Sequence, residues 1–125
     1  MGTTARTSIK NLTTRGVVEV INPSGRGDFV LVCEHASNTV PAALNNLGLT
    51  GDVLDTHIAW DPGALRVARA MARLLDAPLV APRVSRLVYD CNRPPDAPHA
   101  IPLRSEAVDI PGNAGLGEHE RRERV

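Results

Sequence analysis

The stretch FVLVCEHASN, residues 29–38, decides the fold. Its first five residues are apolar at odd and even positions alike, which is typical of a strand covered on both faces. A carboxylate and an imidazole, Glu34 and His35, follow this apolar run directly. We therefore predict a central strand, with helices on each side, whose carboxyl end carries polar chemistry.

Segments before and after this strand predict the rest of a layered α/β fold. Further strands are expected at residues 17–23, at 77–82 and within 85–95, where the last runs into a loop. Helices are expected at residues 40–48, 50–60 and 61–76, and another begins near 117. The proline-rich residues 94–117 predict an irregular segment that covers a site. This order predicts a layered mixed sheet flanked by helices.

The predicted helix from Asp61 to Asp76 has the clearest periodicity. Asp61 and Pro62 stand where an N-cap and a first-turn proline belong. Arginines line one face, and the positions that follow a 3.6-residue period and should face the core are Ala64, Val67, Ala68, Met71, Leu74 and Leu75.

Composition limits the classes of function. The 125 residues carry 14 basic and 14 acidic side chains, so no excess of positive charge indicates binding to nucleic acid or to an anionic membrane. The sequence has neither a transmembrane run nor an apolar signal segment, and its two cysteines lack CxxC spacing. We predict a cytoplasmic protein with reduced thiols, in which residues 1–15 form a mobile tail and residues 16–125 form the domain.

Polar side chains follow two of the predicted strands, and ligands of open α/β sheets bind beyond the carboxyl ends of strands. Glu34 and His35 after the first strand suit a zinc ion, which takes imidazole and carboxylate ligands. The alternative is that His35 is a hydrogen-bonded interior residue and that Glu34 pairs with an arginine. Asp61 is either a further ligand or a helix N-cap, and the two roles are compatible.

The segment SRLVYDCNRPP, residues 85–95, supplies Arg86 near its beginning and the Asn92–Arg93 pair near its end. A guanidinium binds a carboxylate through two parallel hydrogen bonds, so these residues favour a small acidic substrate. A structural ion pair between Asp90 and one of the arginines explains the pattern equally well.

Three ordered motifs, VCEHASNTVP, HIAWDPGA and SRLVYDCNRPP, resemble the N-formylglutamate amidohydrolase family, and the resemblance runs from about Val17 to about Leu116. It implies a fold similar to the zinc-dependent exopeptidases and amidohydrolases. It also implies a divalent metal, zinc in the first place, and hydrolysis of N-formyl-L-glutamate to formate and L-glutamate in histidine breakdown.

The resemblance further assigns roles to residues. His35 would bind the metal with Glu34 or Asp61, and Arg86 would polarise the scissile carbonyl or bind a carboxylate. Residues implied to hold the substrate are Arg86, Asn92, Arg93 and Asn38. Glu34 is also a candidate catalytic carboxylate. Asn38 stands where related zinc enzymes have a glutamate ligand.

Family members are expected to be about twice this length, so the chain resembles the N-terminal half of the domain. Half a sheet exposes an unpaired edge, which favours self-association. Two other functions stay open beside the amidohydrolase. One is a catalytically incomplete fragment that binds acidic ligands or a partner chain, and the other is a cysteine hydrolase that uses Cys33 or Cys91.

Overall fold

A computed structural model describes residues 16–125, so the tail predicted at residues 1–15 lies outside the described part. Its strands are β1 (Val18–Ile21), β2 (Leu31–Val32), β3 (Leu79–Pro82), β4 (Arg104–Ser105) and β5 (Val108–Asp109). Its α-helices are α1 (Gly51–Leu54), α2 (Ala64–Leu75) and α3 (Glu118–Arg124), and two 3-10 segments span Ala42–Gly48 and Pro111–Asn113. The predicted mixed α/β class is confirmed.

The main sheet has the strand order β1-β3-β2. β1 runs antiparallel to β3, with Ile21 opposite Leu79, and β2 runs parallel to β3, with Leu31 opposite Leu79. Side chains in this row point to α2 and form a core with Cys33, Ala72 and Ala81. The sheet is therefore mixed, as predicted, and α2 covers one of its faces.

The strand predicted at residues 29–33 is shorter and more exposed than its apolar sequence indicates. β2 contains only two residues and lies at the edge of the three-stranded sheet, not at its centre. Phe29, Val30 and Val32 are exposed, whereas Leu31 and Cys33 pack under α2. The strand was expected to be covered by helices on both faces, but within residues 16–125 only the face toward α2 is covered.

Helix α2 packs through small side chains rather than through its large apolar ones. Ala64, Leu65, Ala68 and Ala72 face the sheet, because alanines let the helix approach the strands closely. The predicted core positions Val67, Met71, Leu74 and Leu75 are exposed instead. The N-cap is Gly63 with φ of 84°, a left-handed conformation that suits glycine, so the prediction of Asp61 as N-cap is wrong.

The strand predicted within residues 85–95 is absent, and a turn takes its place. The buried Ser85 hydroxyl donates to the Ala59 carbonyl and accepts from the Leu87 amide, while the Val88 amide bonds to the Ser85 carbonyl. Such side-chain hydrogen bonds offer the backbone an alternative to a strand ladder. Leu87 and Val88 extend from this turn into a second hydrophobic core, which accounts for the apolar run in the sequence.

The second core lies beside the sheet and stabilises the part of the molecule that has few regular helices or strands, which we call the irregular half. Its buried residues are Leu47, Leu54, Ile58, Ala59, Leu87, Val88 and Ile110. The predicted helix at residues 40–48 is a 3-10 segment interrupted by positive φ at Asn45, Asn46 and Leu47, and asparagine tolerates that conformation better than most residues. The helix predicted at residues 50–60 ends at Leu54.

The segment predicted to be irregular contains the β4–β5 hairpin and the second 3-10 segment. α3 forms where a helix was predicted to begin, and Arg124 within it is buried against Val88 and Asn113. In the described part of the chain, no helix is long and apolar enough to span a membrane.

Candidate active site

The carboxyl end of β2 and the loop before α2 meet at His35. The Asp61 amide donates to the His35 carbonyl at 2.9 Å, which fixes the loop against the end of the strand. The turn after Ser85 also reaches this point. The Asp90 amide donates to the Ala100 carbonyl, and the Asp90 carboxylate contacts the His35 ring. Residues from three separate motifs therefore meet beyond the sheet, but only His35 follows a strand, since the strand predicted within residues 85–95 is absent.

The His35 imidazole lies between two carboxylates. Its Nε2 is 2.8 Å from Asp90 Oδ1, and its Nδ1 is 3.4 Å from Asp61 Oδ2. Asp90 is an obligate acceptor when ionised, so the short contact identifies Nε2 as the protonated nitrogen. When the ring is neutral, Nδ1 carries the lone pair and faces Asp61; when the ring is charged, Nδ1 donates to Asp61 instead. That side of the ring is the one available for chemistry.

Asp90 is the organising carboxylate of the cluster and is only 6% exposed. Its Oδ1 also accepts from the Asn92 amide at 3.0 Å, and its Oδ2 lies 3.4 Å from Arg86 Nη2. Burial favours the neutral acid, but the hydrogen bonds from His35 and the Asn92 amide, with the charges of His35 and Arg86, outweigh it and hold the pKa of Asp90 below its ordinary value. Asp90 is therefore an anion at neutral pH.

Arg86 bridges the two carboxylates. Its Nη2 faces Asp90, its Nη1 is 3.8 Å from Asp61 Oδ1, and the side chain is 29% exposed. The ion pair considered as an alternative for Asp90 is thus present. It does not use the whole guanidinium, because part of the fork stays accessible beside His35 and can meet an oxygen of a ligand.

The donor types at His35 fit a divalent metal, although their number within residues 16–125 is small. An imidazole lone pair and a carboxylate oxygen that face each other at 3.4 Å need a proton or a cation between them. Asp90 would act on the far nitrogen as the outer carboxylate that commonly orients a histidine ligand. Within the described residues, no three His, Cys, Asp or Glu side chains are grouped to hold a metal ion.

The other predicted site residues lie around this cluster. Glu34 is exposed, and its carbonyl accepts from the Cys91 thiol at 3.3 Å. Asn38 turns away, because its Nδ2 donates to the Leu54 carbonyl and to Asp55. Asn92 and Arg93 are exposed in the loop after Asp90, where Arg93 donates to the Asn92 carbonyl. The structure thus brings His35, Asp61 and Arg86 together and leaves the others at the periphery.

Both cysteines are free thiols, as predicted. Burial, then the nearby Asp61 and Glu34 carboxylates, raise the pKa of Cys33, and burial with Asp90 and Glu34 raises the pKa of Cys91. A nucleophilic cysteine needs the opposite, a lowered pKa in a positive environment. These surroundings therefore argue against the cysteine hydrolase.

Asp90 is the residue of this cluster that the sequence analysis did not place in the site. The feature of the sequence that could have identified Asp90 is its position at the end of an apolar run, two residues before the Asn92–Arg93 pair. A groove of about 600 Å³ between β1 and α2 is separate from this cluster, and its charged side chains are partly paired with one another, as in Glu19 with Arg69.

The sequence profile of the N-formylglutamate amidohydrolase family matches residues 27–125, which include His35, Asp61, Arg86 and Asp90. The chain belongs to the N-formylglutamate amidohydrolase family. The family name gives an amide hydrolase as the general class of activity. Each residue of the His35 cluster lies within the matched range.

The fold is similar to the crystal structure of gene product Atu2144 from Agrobacterium tumefaciens, at a TM-score of 0.87 and 54% sequence identity. The similarity covers 90% of this chain and 45% of that chain, so this chain spans less than half the length of the relative. No curated protein matches the sequence.

Proposed function

We propose that this chain provides the His35 cluster of a metal-dependent amidohydrolase that converts an N-formyl, or other short N-acyl, amino acid to formate or the short acid and the free amino acid. An acidic substrate such as N-formyl-L-glutamate fits best, which would place the reaction in histidine breakdown in the cytoplasm. The observation that carries the proposal is an imidazole between two carboxylates that a partly exposed guanidinium bridges, within a member of this family.

The proposed metal ligands in this chain are His35 through Nδ1 and Asp61, with Glu34 as a further ligand or catalytic carboxylate. When bound, a divalent metal, zinc in the first place, supplies Lewis-acid activation of the acyl carbonyl and of water. Asp90 keeps the His35 proton on Nε2, so that Nδ1 has a free lone pair.

Arg86 is the proposed electrophilic residue, because its accessible N–H groups can donate to the oxygen on which charge develops during amide cleavage. Its contacts with Asp61 and Asp90 hold the guanidinium in place before the substrate arrives. Asn92 and Arg93, exposed in the neighbouring loop, are proposed to bind the substrate carboxylate.

The first experiment measures metal content by elemental mass spectrometry in the wild-type chain, in His35→Ala and in His119→Ala. His119 is an exposed histidine on α3 and is the matched control. We expect metal in the wild type and the control and a loss of at least about tenfold in His35→Ala, because removing a ligand destroys a site of so few donors. Equal metal content in all three proteins would contradict the role of His35.

The second experiment measures formate release from N-formyl-L-glutamate by the metal-loaded protein and by Arg86→Ala. Loss of an oxyanion donor should lower kcat by about 100-fold or more. Arg66→Ala, an exposed arginine on α2, should leave the rate unchanged. Release of formate by Arg86→Ala at the wild-type rate would refute the assignment.

A second function is a binding protein for acidic ligands that does not turn them over. It is favoured by the presence of only two facing metal donors at His35 within residues 16–125. Calorimetric binding of L-glutamate that is weakened in Arg93→Ala, without formate release from N-formyl-L-glutamate, would support this function over the hydrolase.

A further inference from the structure

Ser85, the first residue of the motif SRLVYDCNRPP, is completely buried. Its hydroxyl donates to the Ala59 carbonyl at 2.7 Å and accepts from the Leu87 amide at 3.2 Å. Its own amide donates to the Thr39 carbonyl at 2.7 Å. Burial of polar groups costs free energy unless they are hydrogen-bonded, and in Ser85 each of these bonds is made to the backbone.

Two of these bonds connect the third motif to the other two motifs that meet at His35. Thr39 lies in the first motif, four residues after His35, and Ala59 lies in the second motif, two residues before Asp61. Ser85 therefore fixes the backbone near both residues, although its bonds are not made to their side chains.

The turn at residues 85–90 has a further anchor on another side. The Leu87 carbonyl accepts from the Asn113 side chain at 2.8 Å, and the Val88 carbonyl accepts from the buried Arg124 at 3.1 Å. These bonds do not involve the Ser85 hydroxyl. Removal of that hydroxyl should therefore leave the turn anchored and release mainly the loop at residues 59–61.

The position of that loop matters because it sets the distances from Asp61 to its two partners. Asp61 Oδ2 is 3.4 Å from His35 Nδ1, and Asp61 Oδ1 is 3.8 Å from Arg86 Nη1. The Asp61 side chain is 53% exposed, so packing does not hold it in place. Its backbone does, and the Ser85 hydroxyl and the His35 carbonyl both bond to the backbone of this loop.

We propose that Ser85 is a positioning residue whose hydroxyl holds the Asp61 loop at the distance from His35 and Arg86 that the reaction requires. It acts through the Ala59 carbonyl, and because it is buried it has no contact with the substrate. The assignment rests on the proposed function. The link between Ser85 and the Asp61 loop can nevertheless be measured without metal or substrate.

Hydrogen exchange followed by NMR in the metal-free chain tests this link in Ser85→Ala. The Asp61 amide, which donates to the His35 carbonyl, should exchange at least about tenfold faster, because its loop loses an anchor and opens locally. The Val88 amide should stay protected, because it donates to the backbone carbonyl of residue 85, which the substitution retains. Equal acceleration of both amides would indicate a general loss of stability and would overturn the proposal.

Ser37→Ala is the matched control, because Ser37 makes the same pair of bonds. Its hydroxyl donates to the Arg83 carbonyl at 3.0 Å and accepts from the Thr39 amide, two residues further along, at 3.1 Å. Neither bond is made to residues 59–61, so the Asp61 amide should exchange as in the wild type. Faster exchange of the Asp61 amide in both variants would contradict a specific role of Ser85.

Formate release from N-formyl-L-glutamate by the metal-loaded protein tests the consequence for the reaction. The kcat of Ser85→Ala should fall at least about tenfold, since small misplacements of reacting groups are costly, and Ser37→Ala should keep the wild-type kcat. Ser85→Cys keeps a weak donor, so its exchange and kcat should lie between those of Ser85→Ala and the wild type. It also replaces Ser85→Ala if thermal melting shows that this variant does not fold.

The two measurements separate this proposal from the proposed function. Faster exchange at Asp61 with an unchanged kcat would overturn the positioning role of Ser85. If the wild type released no formate, the proposed function would be contradicted instead, and exchange at Asp61 would still decide whether Ser85 holds the loop.

Discussion

At the scale of single residues, the Asp90 carboxylate connects the predicted motifs. One oxygen accepts from the His35 ring and the Asn92 amide, and the other faces Arg86. Asn in its place keeps one acceptor but turns an N–H₂ group toward the Arg86 donors or toward His35. We expect Asp90→Asn to lower the free energy of unfolding by about 1.5–3 kcal/mol, the usual contribution of a buried charge-assisted hydrogen bond.

Urea unfolding at neutral pH measures this loss. Asp96→Asn is the matched control, because Asp96 is exposed in the loop that follows, and it should change stability by less than about 0.5 kcal/mol. If the two variants were equally stable, the Asp90 network would have no energetic role.

Asp76 provides a pH-dependent prediction away from the site. Hydrogen bonds from Asn22 and from the Arg26 amide hold the pKa of this exposed carboxyl below its ordinary value of 3.8. Because the folded-state pKa is the lower one, the stabilisation is complete above the unfolded-state value and is lost as the pH falls through the folded-state value.

Asp76→Asn tests this linkage with little change in backbone strain, since Asp76 has φ of 47° and asparagine also tolerates the left-handed region. The variant should be less stable than the wild type at pH 7, and the difference should shrink toward zero as the pH falls below 3.8. Urea titrations at pH 7 and near pH 2.5 compare the two proteins. A difference that grew in acid would contradict the sign of the shift.

The sequence predicts the part of the site in which the reactive residue directly follows its own strand. His35 follows from its residue type beside an apolar run, and the rule for strand ends predicts that ligands bind there. Its meeting with Arg86 does not follow from that rule, because residues 85–90 form a turn and not a strand. Asp90 was considered only as an ion-pair partner, because nothing in the sequence shows that its carboxylate reaches 55 positions back to the His35 ring. Long-range hydrogen bonds of this kind leave no periodic signal.

At the scale of elements, helix α3 is fastened by one buried arginine. Arg124 donates to the Val88 carbonyl at 3.1 Å, to Asn113 Oδ1 at 2.7 Å and to the Gly112 carbonyl at 3.2 Å. Asn113 in turn donates to the Leu87 and Pro102 carbonyls. α3 therefore supports the turn that carries Arg86 and Asp90.

Arg124→Ala should reduce the free energy of unfolding by about 2–3 kcal/mol, because it leaves buried acceptors without their charged donor. Arg122→Ala is the control on the same helix, since Arg122 is exposed and pairs with Glu118 four residues before, and it should cost no more than about 0.5 kcal/mol. Thermal or urea unfolding compares them. Similar losses in both variants would show that Arg124 acts only through helix propensity.

The elements also show where sequence patterns fail. β1, β3, α2 and α3 lie where alternation, short apolar runs and a 3.6-residue period placed them. Residues 85–90 did not form a strand, because Ser85 satisfies the backbone through its side chain, and hydroxyl hydrogen bonds to distant carbonyls do not appear in a hydrophobic pattern. α2 turned its alanines inward because the close approach of a helix to a sheet favours small residues over large ones.

At the scale of the whole molecule, two cores of different completeness stand side by side. The core of the irregular half encloses Leu47, Leu87 and Ile110 almost fully, whereas residues 16–125 leave Val20 and Val32 of the sheet exposed. Resistance to local opening follows buried contacts more than regular secondary structure. The half without long helices or strands should therefore be the more protected one.

Hydrogen exchange followed by mass spectrometry tests this expectation in the isolated chain. Amides of Val88 and Ile110, bonded to the Ser85 and Leu103 carbonyls, should exchange more slowly than amides of β1. Slower exchange in β1 would show that the sheet is the most stable part without a partner.

The position of β3 in the sheet has a consequence for biosynthesis. β1 and β2 come first in the chain, but they are not neighbours, since β3 lies between them and pairs with both. After β1 and β2 leave the ribosome, they stay unpaired during the synthesis of α1 and α2, until residues 79–82 emerge. Both strands thus keep an unpaired edge from their own synthesis until β3 has emerged, and it is in that interval that a holding chaperone would find the nascent chain.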